Sequence, residues 1–165
     1  KYKNFWQVTE ESLDHTMATS KINKNMREEL LNLYKELSPY PEVKECLNIL
    51  KTKKIKIAIL SNGTPDLLKS LVESNNIQNC FDDIMSIESV GIYKPDAKVY
   101  EMPIKKYDCK PENICFLSSN TWDVSGGGVF GYNAVWVNRF NKIFDKLGYN
   151  PQYIINNLNQ LLELV

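Results

Sequence analysis

At 165 residues the chain is long enough for one domain with a core of its own, or one domain and a small appendage. Its 20 lysines and arginines balance its 20 aspartates and glutamates, so no basic field exists to hold nucleic acid or an anionic membrane surface, and a small-molecule partner is expected. Cys46, Cys80, Cys109 and Cys115 form no Cys-x-x-Cys pair, and His15 is the only histidine, which argues against a zinc centre and for reduced thiols in a cytoplasmic protein. No run approaches the ~18 apolar residues of a membrane span, and Lys-Tyr-Lys-Asn-Phe-Trp at the start has no signal-peptide core.

In chain order, apolar residues at helical spacing predict helices over 9–18 (Leu13, Met17) and 25–37 (Met26, Leu30, Leu31, Leu33, Tyr34, Leu37). Ser38-Pro39-Tyr40-Pro41 interrupts them, and Pro41 is placed to start a helix with Val43, Leu47 and Leu50 as its stripe. The pattern then becomes strand, turn, helix, repeated. A β-branched run over 55–60 ends in Ser61-Asn62-Gly63, with Thr64-Pro65 as helix cap and first turn. Asp83 to Ile87 reads as a short strand, Pro95 onward as a helix to 107, and 114–117 as a buried strand ending in Ser118-Ser119-Asn120. A helix follows from about Thr121, a strand runs from Asn133 to Val137, and Leu158 to Leu164 suggests a closing helix. Pro103 should kink or break its helix, and Gly126-Gly127-Gly128 should weaken the helix after Trp122 by roughly 1 kcal/mol per glycine. This alternation predicts an α/β fold, a doubly wound parallel sheet covered on both faces by helices, with its site at the carboxyl ends of the strands.

Three strand ends in succession carry polar or charged residues: Ser61-Asn62, the loop Gly91-Ile92-Tyr93-Lys94-Pro95, and Ser118-Ser119-Asn120 with Asp123 one helical turn on. Each has a plainer reading. Ser61 and Asn62 suit a helix-capping turn, Lys94 a solvated loop, Asp123 a helix dipole, and Trp122 a core position. Their joint placement in chain order resembles the haloacid dehalogenase superfamily. Ser61-Asn62 looks like its second motif, Lys94 in Gly-Ile-Tyr-Lys-Pro-Asp its third, and Ser118 to Asp123 its fourth. Ser-Asn-Gly-Thr-Pro-Asp, Tyr-Lys-Pro-Asp-x-x-Val-Tyr and Ser-Ser-Asn-x-Trp-Asp together are similar to the L-2-haloacid dehalogenase branch, and Phe5-Trp6-x-Val8-Thr9 resembles that branch's helical cap.

The resemblance implies a Rossmann-like core over 41–165 with part of a small helical cap over 1–40, no cofactor, a 2-haloacid substrate with a halide leaving group, and a homodimer. It implies that Lys94 steadies an aspartate nucleophile, that Ser118 and Asn120 orient it, and that Asp123 serves the hydrolytic water. Ser61 would bind the substrate carboxylate and Asn62 the halide, with Tyr100 in support and Trp122 and Phe5 as apolar walls. The alternatives are a magnesium-dependent phosphatase of the same superfamily and a non-catalytic binding domain. Magnesium needs hard anionic ligands, and Ser118 stands where phosphatases place an acid, which favours metal-free chemistry.

The family's Asp-x-Tyr-Gly-Thr nucleophile motif does not occur in this sequence. Glu10, Glu11, Asp14, Glu28, Glu29 and Glu36 follow no strand-like run, and Arg27 lacks the context of the family's halide-binding arginine. The nucleophile and its strand are therefore expected upstream of residue 1, leaving the strands that end near Leu60 and Leu117 without a shared neighbour. Unpaired buried polar groups cost about 1–3 kcal/mol each, against a total stability of about 5–15 kcal/mol. Residues 1–165 alone are accordingly expected to be inactive and to lack a cooperative urea transition; a sharp, stable one would overturn that expectation.

Overall fold

The computed structural model describes residues 2–165. They form two compact units, one made of the residues as far as Tyr40 with Lys56–Gly91, the other of Pro41–Ile55 with Ile92–Val165.

In the first unit, α1 (Phe5–Thr19) starts on a capping box: the Asn4 side chain accepts from the Gln7 amide at 2.9 Å and the Gln7 side chain accepts from the Asn4 amide at 3.1 Å. The next helix, α2 (Arg27–Leu33), is shorter than its periodicity suggested. Leu33, Tyr34 and Leu37 face solvent, so the apolar repeat past Leu33 has no core to hold it. β1 (Ala58–Ser61) leads into α4 (Pro65–Ser74), which begins as read, with Thr64 as cap and Pro65 in the first turn. β2 (Asp83–Ser86) pairs with β1 in parallel, from Ala58 opposite Asp83 to Ser61 opposite Ser86. Ile87 leaves the expected strand and enters a 3-10 turn.

The second unit opens with α3 (Val43–Thr52); Pro41 and Glu42 form the turn before it rather than its first residues. α5 (Ala97–Tyr107) is capped by Asp96, which accepts from the Lys98 amide at 2.9 Å, and it continues through Pro103, so of the expected kink or break the break does not occur. Burial of Val99, Tyr100 and Pro103 on one face supplies what the lost backbone bond removes. β3 (Cys115–Ser118), α6 (Thr121–Phe130) and β4 (Asn133–Val137) follow, and a strand not foreseen, β5 (Tyr153–Ile155), extends the parallel order β3-β4-β5. The chain closes with a 3-10 segment, Leu158–Glu163, in place of the α-helix expected over 158–164. Burial concentrates on β4, where Val124 of α6 packs with Ala134 and Trp136.

Every strand pair is parallel, and helices connect successive strands except β4 and β5, which a loop joins, the α/β architecture read from the sequence. The strands hydrogen-bond in two sets, one in each unit. β1 and β3, read as buried runs, are part exposed, with Ala58 and Cys115 open to solvent; among the described residues each has a strand partner on one side only. Among the described residues no helix is long and apolar enough to cross a membrane.

Candidate active site

α6 carries the centre of the site. Its N-cap residue, Asn120, has extended backbone angles and accepts the first helical bonds at its carbonyl, from the Asp123 and Val124 amides at 3.1 and 3.0 Å. The Asn120 side chain makes no cap bond, which leaves its carboxamide available to the site. Ser118, the last residue of β3, accepts from the Asn120 amide at 3.2 Å and keeps its own hydroxyl proton to donate. These bonds set the β3–α6 turn and with it the first turn of the helix, where Asp123 sits 3 % exposed.

Asp123 is held at both oxygens. Lys94 Nζ donates to Oδ2 at 2.7 Å, and Tyr100 Oη donates to Oδ1 at 2.9 Å. The ion pair is buried, with 8 % of the lysine side chain and 4 % of the aspartate side chain exposed. Lys94 also lies 5.6 Å from the centre of the Phe116 ring, so its charge is flanked by an aromatic face and a carboxylate. A lone pair remains on each Asp123 oxygen. The arrangement can therefore set a positive charge at Lys94 and accept a proton or a water at Asp123.

Tyr100 is fully buried, ringed by Phe116, Phe130 and Tyr132 at centroid distances of 5.7, 5.8 and 5.9 Å, and the Tyr132 hydroxyl donates to its carbonyl. Burial first, then the Asp123 charge and the hydrogen bond to it, push the Tyr100 phenol well above its ordinary range. Burial does the same to Tyr132. Both groups stay protonated in the fold at a pH where an unfolded chain, with phenols near ~10, would begin to lose protons. Their contribution to stability is thus complete below about pH 10 and is lost as pH rises beyond it. Urea midpoints of the full-length gene product should fall above about pH 10, and less steeply in Tyr100→Phe.

Six of the residues picked from the sequence fall in the second unit. Lys94, Tyr100 and Asp123 form one bonded cluster, Ser118 and Asn120 set the turn that carries it, and Trp122 projects 38 % exposed, which removes the core reading for that side chain. Ser61, Asn62 and Phe5 belong to the first unit. Ser61 ends β1 and accepts from the Gly63 amide at 3.0 Å, leaving its hydroxyl proton to donate; Phe5 is half-buried at the start of α1. Arg27 is committed to Asp14 through a two-point pair at 2.5 and 3.1 Å. The acids before Pro41 lie on α1, on α2 or, for Glu36, in the turn after it. Among the described residues no group of three or more His, Cys, Asp or Glu side chains gathers at metal-binding range.

Sequence reasoning missed the tightness of the packing behind the cluster. Gly126, Gly127 and Gly128, read only as weak helix formers, each receive a bulky side chain against bare backbone. Three consecutive glycines inside an otherwise apolar helix were the available signal.

Residues 4–131 match the haloacid dehalogenase-like hydrolase family. The chain is 36 % identical, over its whole length and 74 % of the relative's, to (S)-2-haloacid dehalogenase 1 of Pseudomonas sp. (strain CBS-3). It is 35 % identical to (S)-2-haloacid dehalogenase 4A of Burkholderia cepacia, over 99 % of this chain and 70 % of the relative. Among solved structures it is similar to the L-2-haloacid dehalogenase from Xanthobacter autotrophicus with chloropropionic acid covalently bound, at a TM-score of 0.91 and 27 % identity, over 99 % of this chain and 76 % of that one. With Lys94 of the loop before α5 bonded to the first-turn Asp123 of α6, and residues 4–131 matching the family model, the chain belongs to the haloacid dehalogenase-like hydrolases.

Proposed function

We propose that the protein is an (S)-2-haloacid dehalogenase, which hydrolyses the carbon–halogen bond of short 2-haloalkanoic acids to give 2-hydroxy acids. The observation that carries this reading is the buried Lys94–Asp123–Tyr100 cluster, next to a neutral Ser118 where a magnesium phosphatase would need an acid. Metal-free displacement at carbon requires a fixed positive charge beside the nucleophilic carboxylate and a second carboxylate for the later water step. Lys94 supplies the first and Asp123 the second.

In this mechanism a carboxylate oxygen attacks C2, the carbon–halogen bond breaks with inversion, and halide leaves with the bonding electrons. Water then adds to the carbonyl of the resulting ester, which collapses to 2-hydroxy acid and regenerates the carboxylate. Lys94 keeps that carboxylate ionised and offsets the negative charge of both transition states. The Ser118 hydroxyl and the Asn120 carboxamide donate to it. Asp123 accepts the water's proton while Tyr100 and Lys94 hold it in place. Ser61 takes the substrate carboxylate, Asn62 the halide, and Trp122 and Phe5 provide apolar surface. A homodimer and a cytoplasmic location complete the proposal, the first testable by sedimentation equilibrium.

The direct test is chloride release from (S)-2-chloropropionate by the full-length gene product. Release with formation of 2-hydroxypropionate is the expected result. No halide from any of several 2-haloacids would sink the proposal, and magnesium-dependent phosphate release in its place would move the protein to the phosphatase reading.

A further inference from the structure

Gly126 lies three residues past Asp123, on the same face of α6. A Cβ placed there would stand 2.6 Å from Tyr100 Oη, 2.8 Å from Pro95 Cβ and 3.2 Å from Tyr100 Cε2. Non-bonded heavy atoms rest at about 3.5–4.0 Å, so the first two separations are strongly repulsive. The two groups are not arbitrary neighbours. Pro95 directly follows Lys94, and Tyr100 Oη is the donor to Asp123 Oδ1.

We propose that Gly126 is a positioning residue for the catalytic cluster: its bare backbone lets Pro95 and the Tyr100 phenol settle against α6 and so sets the reach of Lys94 and Tyr100 to Asp123. Pro95 is exposed and can move only with the Lys94 loop, while the Tyr100 ring has no room to retreat. The Tyr100 ring is enclosed by Phe116, Phe130 and Tyr132, and its carbonyl is tied to the Tyr132 hydroxyl. A methyl group at Gly126 must therefore shift α6 or the Lys94 loop, and either shift lengthens the 2.7 Å and 2.9 Å bonds that hold Asp123. Gly128 offers a matched contrast. A Cβ there would stand 2.0 Å from Tyr149 Cζ, a still closer clash, with a side chain outside the cluster. Helix propensity favours both substitutions alike, by about 1 kcal/mol, so a difference between them reports on what each glycine touches.

This inference rests on the proposed dehalogenase reading only for its kinetic consequence, and the test separates the two. Gly126→Ala and Gly128→Ala are made in the full-length gene product, each alone and with Tyr100→Phe. Urea midpoints are measured, and the tyrosine Cζ carbons are followed by 13C NMR from about pH 8 to 12, with Tyr100 assigned by its loss in Tyr100→Phe. In Gly126→Ala the Tyr100 resonance should move and titrate nearer the ordinary phenol range, and kcat should fall about 10- to 100-fold with KM within about twofold. Tyr100→Phe, which removes the oxygen nearest the new methyl, should recover about half or more of the midpoint lost in Gly126→Ala and none of that lost in Gly128→Ala. In Gly128→Ala the Tyr100 resonance should stay in place. A Tyr100 titration in Gly126→Ala unchanged from the native protein, or strictly additive midpoints, would overturn the proposal. If Gly126→Ala alone does not fold, a folded double variant supports it and an unfolded one overturns it. If the native protein releases no halide, the dehalogenase reading fails while the resonance and midpoint measurements still decide the role of Gly126.

Discussion

Lys94→Met should lower chloride release from (S)-2-chloropropionate by about a thousandfold, the scale on which a single charge-stabilising donor acts in a water-poor site. Its effect on stability should be of similar weight. The Lys94–Asp123 pair is buried on both sides, and removing one partner of such a pair leaves an uncompensated charge, at about 3–5 kcal/mol. Methionine matches the lysine stem in length and can still lie against Phe116, so the loss reports on the charge rather than on a cavity. Lys94→Arg should not restore activity, because a planar guanidinium would have to place its fork where a single ammonium now reaches Oδ2 at 2.7 Å. Chloride assay and urea midpoint together check both halves. Activity within about tenfold of native in Lys94→Met would remove the lysine from the mechanism.

Asp123→Asn has a different signature. If Asp123 serves the water step, the displacement step survives and the hydrolysis of the ester does not. The variant should release about one equivalent of halide and then turn over about 10²- to 10⁴-fold more slowly, the range typical of a lost general base. Intact-mass spectrometry should show the protein carrying the carboxyalkyl portion of the substrate, joined through C2 to the protein carboxylate as an ester. The amide also sets up a local conflict. If its oxygen continues to accept from Tyr100, its NH2 group faces the Lys94 ammonium, so both the pairing and the stability should weaken. Steady turnover with no burst would assign the water step elsewhere and leave Asp123 as the residue that orients Lys94.

Much of this site was legible in the sequence because its residues lie on strand ends and first turns, where local signals are strong. The Asn120-Thr121 boundary and the limits of β4 agree with the structure: one follows a polar strand end, the other is a short apolar run closed by Asn138. The partners were less legible. Tyr100 was picked for its nearness to Lys94, and the structure instead bonds it to Asp123, a residue on another helix, a pairing that no local pattern encodes. The same holds for the glycines of α6, whose use depends on Tyr100, Phe116 and Tyr149 arriving from other elements. β5 escaped notice because Tyr153 and Ile154 are exposed, and only Ile155 contributes a buried side chain. Pro103 misled in the opposite direction, since a local penalty of about 3 kcal/mol was outweighed by the packing of a buried helix face. Propensity is a weak prior wherever tertiary contacts are dense.

The final residues are tied to α3 and to the residues that flank it by several bonds. The Glu42 carboxylate accepts from Arg139 at 2.6 Å and from the Leu158 amide at 3.2 Å, Cys46 Sγ donates to the Leu158 carbonyl at 3.3 Å, and Lys53 reaches the Val165 carbonyl at 2.6 Å. An affinity tag joined directly after Val165 would therefore begin inside a hydrogen-bonded seam rather than on a loose tail. A short glycine-serine spacer placed before the tag would give the seam room to stay closed.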